Sequence, residues 1–87
     1  MNVTSLESIE RIQLAIDYRR LYRARAVIGI SDIPMNPVEI EFSLEMSPYG
    51  TKEIRVRFLG SADYPLVPAM KLLKEYIRDI DKNGSLP

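Results

Sequence analysis

Nine residues, "VEIEFSLEM", alternate without a break between apolar and polar side chains: Val38, Ile40, Phe42, Leu44 and Met46 against Glu39, Glu41, Ser43 and Glu45. Successive side chains of a strand point to opposite faces, so this run demands a sheet with one buried face and one wet face. "SPYGT" follows, with Pro48 suited to the first corner of a turn and Gly50 free to take a positive φ. The chain returns in "KEIRVRFL", whose inward set is Ile54, Val56 and Phe58 and whose outward set is Glu53, Arg55 and Arg57. We read strands over residues 38–46 and 52–59, joined as an antiparallel hairpin.

The flanking segments read differently. Leu6, Ile9, Ile12 and Ile16 recur at helical spacing, after an N-cap at Ser5 and a Thr4–Glu7 pair with capping-box spacing. At about 100° per residue, Arg19, Arg20 and Arg23 fall on the face those isoleucines hold, and an apolar stripe cannot become arginine and stay buried. The first helix is therefore expected over residues 5–21, with its buried face ending near Tyr18 to Tyr22. From Arg23 the period becomes two, with Ala24, Ala26, Ile28 and Ile30 against Arg23, Arg25, Val27, Gly29 and Ser31. That predicts a strand over 23–31, a continued helix being the alternative. "SDIPMNP" reads as a loop broken by Pro34 and Pro37. Pro65 and Pro68 suit a helix entrance, and Ala69, Met70, Leu73, Ile77 and Ile80 form the apolar face of a helix over 66–82, stopped by Asn83 and Gly84.

Eighty-seven residues suffice for one domain with a thin core. The expected fold is α+β: a single two-layer domain over residues 1–87, with two helices on one face of a three-stranded antiparallel β-meander, in the order α-β-β-β-α. Phe42, Ile54, Val56, Leu73 and Ile77 should centre the core.

The wet face of that sheet explains most of "DYRRLYRARAV", which is dense in arginine. Arg23 and Arg25 would face the glutamates of the 38–46 strand, and Arg55 and Arg57 would flank the same glutamates from the other side. Arg19 and Arg20 would sit at a helix C-terminus, with Tyr18 and Tyr22 packed at the junction and their hydroxyls in water.

Chemistry is limited by what is missing. There is no cysteine and no histidine, so thiolate nucleophiles, imidazole bases and the usual transition-metal ligands are absent. Twelve basic residues balance twelve acidic ones, which argues against a surface that attracts phosphate everywhere. Glu39, Glu41 and Glu45 share a strand face and have the right chemistry for a hard cation, but arginines beside them favour an ion-paired face. No phosphate-cradling or nucleophile-elbow motif occurs. We expect no catalytic, cofactor-binding or metal-binding residue, and no enzyme. The polar N-terminal stretch and the lack of a membrane-length apolar run predict a cytoplasmic protein with no membrane partner.

Two binding surfaces remain. Ile33, Met35, Tyr64 and Leu66 lie on proline-stiffened loops expected at one end of the sheet, and form a candidate partner-binding patch unless they fold over the core. Arg19, Arg20, Arg23 and Arg25, with Tyr49 at the hairpin tip, form a candidate nucleic-acid contact. The function expected is a small non-enzymatic macromolecular-interaction module, binding a protein or a second copy of itself; the alternative is an RNA- or DNA-binding domain using Arg19 to Arg25. Self-association would use the edge of the 23–31 strand, which holds no proline, or the loop patch.

The element order resembles that of the double-stranded-RNA-binding domain, although the entrance to the last helix offers only Lys71 and Lys74 as phosphate contacts. "RFLGSADYPLVP" is similar to the strand-then-"YP..P" passage of ubiquitin-conjugating enzymes and RWD interaction domains. The missing cysteine removes conjugating activity from what that likeness implies.

Overall fold

The computed structural model describes residues 1–87. It contains five strands and one helix: β1 (Asn2–Ile12), β2 (Arg19–Ile30), β3 (Ile33–Pro34), β4 (Val38–Met46), β5 (Lys52–Phe58) and α1 (Leu66–Lys82). All strands belong to one antiparallel sheet in the order β1-β2-β4-β5, with β3 also paired to β2. The three-stranded meander with two helices in α-β-β-β-α order is therefore wrong. The likeness to the double-stranded-RNA-binding domain falls with that order.

The error lies at the first element, where the expected helix over 5–21 is the strand β1 and the start of β2. The reason is geometric. Val3 pairs with Ile28 but Ser5 pairs with Val27, and Glu7 pairs with Arg25 but Glu10 pairs with Arg23, so β1 carries a β-bulge at each break. Ser8, inside the second, has φ of 53°, the left-handed conformation that bulges use. Each bulge adds one residue, so the side chains that pack on the core are Val3, Leu6 and Ile9, three apart instead of two. A strand with two bulges thus imitates the spacing of a helix. Ile12 pairs with Leu21 and faces away from the helix, and Ile16 lies exposed in the connection.

β2 begins at Arg19, four residues before the predicted start, and runs between β1 and β4. Arg19 and Arg20 are strand residues and cap no helix. The edge expected on residues 23–31 does not exist, because both sides of β2 are paired. The 31–37 loop is in part a hairpin: Ser31 and Asp32 both have positive φ (51° and 64°), the two-residue turn that matches strand twist, and set Ile33 opposite Ile30. β3 and β4 lie along the same side of β2, interrupted at Met35 to Pro37.

The even-numbered residues of β2, β4 and β5 face α1. Tyr22, Ala24, Ala26, Ile28, Ile40, Phe42, Leu44, Ile54 and Val56 form one buried cluster with Ala69, Leu73 and Ile77 of the helix. The five side chains expected at the core centre are all in it. Tyr22 is not a wet junction residue. It is fully buried, stacks on Phe42 with ring centroids 5.0 Å apart, and donates its hydroxyl to the Pro87 carbonyl at 2.9 Å. The alanines of β2 leave room for this packing between large neighbours.

Candidate interaction surfaces

The face of the sheet away from α1 is an ordered array of charge. Residues paired across strands share a face, so the register gives rows. Glu10, Arg23, Glu41 and Arg57 form one row across all four long strands, and Glu7, Arg25 and Glu39 form the next. Glu41 takes Arg57 at 3.2 Å and Arg23 at 3.8 Å. A row nearer the β4–β5 turn breaks the alternation: Arg19 faces Glu45, and Glu45 faces Glu53. Glu53 is bonded within its own strand by Arg55 at 3.2 Å. Tyr18, Glu45, Met46, Ser47, Pro48 and Glu53 line an open cleft of about 670 Å³ beside this pair.

The candidate nucleic-acid residues are divided between faces. Arg19, Arg23 and Arg25 lie on the charged face, each opposite a glutamate of β4. Arg20 lies on the helix side, where its Nη2 donates to Asp81 at 2.8 Å and its Nη1 to the Tyr22 hydroxyl at 3.2 Å. The bond to Asp81 raises the Arg20 guanidinium pKa further. Burial pushes the Asp81 carboxyl up, but hydrogen bonds from Lys52 and Arg20 outweigh it and hold the group below its ordinary value. Tyr49 is 93% exposed at the hairpin tip. No convergent basic groove results. Nor does any group of three acidic side chains take a geometry that would hold a metal ion.

The loop candidates are also divided. Loops 31–37 and 59–65 meet at one end of the sheet, where Met35 to Val38 and Ser61 to Tyr64 enclose a small cavity. Tyr64 is buried, with its ring edge-on to Phe58, and Met35 packs against the core. The Tyr64 hydroxyl has no hydrogen-bond partner, and burial raises its pKa. Ile33 and Leu66 point outward, 63% and 40% exposed. Val67, in the first turn of α1, is 69% exposed, and Leu59 and Met1 add partly exposed apolar area at the same end. Sequence reasoning missed Val67 because the helix face could not be phased finely enough to put it outside.

A family model matches residues 1–82, which hold every strand and the whole of α1. The chain belongs to the BB-0187 family. The stretch that carries BB-0187 membership includes both loops of the apolar end, the charged face and the cleft, and stops short of the C-terminal segment that reaches Tyr22. No curated protein and no solved structure matched the chain.

Proposed function

We propose that this chain is a non-enzymatic protein-interaction module that binds its partner through the uncharged end of the molecule. One observation carries the reading. Residues 33–38 and 64–70 contain no charged side chain, and they hold Ile33, Leu66 and Val67 outward on a tight hairpin and a first helical turn. Interface centres are depleted in charge, and Pro34, Pro37, Pro65 and Pro68 stiffen this surface before binding, which lowers the ordering cost. Asp32 and Asp63 flank the two segments and would form part of a polar rim. The arginines support a nucleic-acid reading less well, since Arg20 is engaged by Asp81 and glutamates stand opposite the others.

A photoreactive residue placed at Ile33 or Val67 should crosslink to a discrete protein in the cells that make the chain, and one at Arg25 should not. Crosslinks confined to Arg25, or saturable low-salt binding of oligonucleotides that disappears with Arg23 and Arg25, would replace this reading with the nucleic-acid one. A cytoplasmic setting belongs to the same proposal, and recovery of the chain in a membrane or secreted fraction would remove that part.

A further inference from the structure

We propose that the chain pairs with a second copy of itself through the free edge of β5, in the antiparallel register that sets Ile54 opposite Ile54 of the second copy. This surface is separate from the uncharged end.

The sheet has two edge strands, β1 and β5. β1 carries two bulges, a device that keeps edges from pairing. β5 carries none: its register with β4 is continuous from Phe58 to Lys52, and "KEIRVRF" contains no proline or glycine. The hydrogen-bond phase shows which groups are free. Leu59 N donates to Glu39 O, Ser47 N to Thr51 O, and Met46 N to Tyr18 O. Odd-numbered residues of β5 therefore bond to β4, and the amides and carbonyls of Lys52, Ile54 and Val56 point to the open edge.

Those groups can pair only in registers that match even residues with even, and side-chain charge separates these registers. One centre sets Glu53 on Glu53. The opposite shift sets Arg55 on Arg55. Only the register centred on Ile54 sets Glu53 on Arg55 of the second copy, twice by symmetry, with Lys52 on Val56 and Thr51 on Arg57. A second observation points the same way. Within its own sheet Glu53 faces Glu45, a like-charge pair beside an open cleft. Arg55 of a second copy adds a cation next to that pair. The bond Glu53 now makes to Arg55 of its own strand joins two exposed side chains, so exchanging it costs little.

Sedimentation equilibrium of the full chain should show a concentration-dependent shift from 10.0 kDa toward twice that mass. Glu53→Arg alone and Arg55→Glu alone should each weaken self-association roughly tenfold or more, by two like-charge contacts. The double swap Glu53→Arg/Arg55→Glu should restore it. An equimolar mixture of the two single variants should form a heterodimer, since every contact is then between opposite charges. Folding does not confuse the result, because circular dichroism and the mixture itself report on folded chains. A wild type that stays at monomer mass up to its solubility limit overturns the proposal. So do single variants that associate as the wild type does, or a mixture that stays monomeric.

Discussion

Tyr64 and Asp81 show how little separates a satisfied buried polar group from a costly one. The Tyr64 hydroxyl is enclosed without a partner. Such a group forfeits roughly 1–3 kcal/mol of solvation, so Tyr64→Phe should raise the melting temperature, and an unchanged or lower value would show that water bonds the hydroxyl. Asp81 is the reverse case: its side chain is 8% exposed and receives both Arg20 and Lys52. Asp81→Asn should cost roughly 1.5–3 kcal/mol at neutral pH, in the range of hydrogen bonds to charged groups. Because the folded carboxyl titrates below its ordinary value, its contribution is present above the unfolded carboxylate value of about 3.9 and is lost as pH falls through the folded one. Urea melts of wild type and variant should converge in acid and separate as pH rises. Neither role was readable in the chain alone. Asp81 belonged with the polar side of a helix by periodicity, and nothing local announced that Arg20, sixty-one positions earlier, would reach it.

At the scale of elements, legibility followed the regularity of hydrogen bonding. β4 and β5 are unbroken ladders, and their inward and outward sets were readable residue by residue. α1 was readable to its ends because prolines and a glycine punctuate it. β1 was not, because two bulges moved Val3, Leu6 and Ile9 to a spacing of three. The same misreading hid half of the charged face. With β1 taken as a helix, Arg23 and Arg25 had glutamates on one side; in the sheet they have Glu10 and Glu7 on the other as well. Arg23→Glu with Arg25→Glu should therefore set four like-charge contacts, each worth about 0.2–1 kcal/mol. The midpoint of denaturant unfolding should fall, with the slope unchanged. A midpoint that does not move would mean that solvent screens these rows. Of the candidate sites, the loop cluster was located correctly at one end, but pattern alone did not sort Met35 and Tyr64, which pack inward, from Ile33 and Leu66, which do not.

As a whole the molecule is an elongated body of about 39 × 22 × 22 Å, closed at one end by its own tail. Leu86 packs against the core, and the Pro87 carbonyl accepts the Tyr22 hydroxyl across sixty-five positions. Removing residues 85–87 should cost roughly 1–3 kcal/mol for the stranded hydroxyl alone, read as a lower melting temperature that Tyr22→Phe partly recovers in the shortened chain. If the shortened chain melts as the full one does, the tail is not part of the folded unit. The two edges of the sheet, finally, differ in what they permit at high concentration. Counted as a polymer chemist counts reactive ends, the bulged β1 is blocked and β5 is open, so each molecule is monofunctional in strand pairing. A monofunctional unit gives pairs and then stops, whereas two open edges would allow step growth into a fibre. The bulges that disguised β1 as a helix thus also act as a chain terminator.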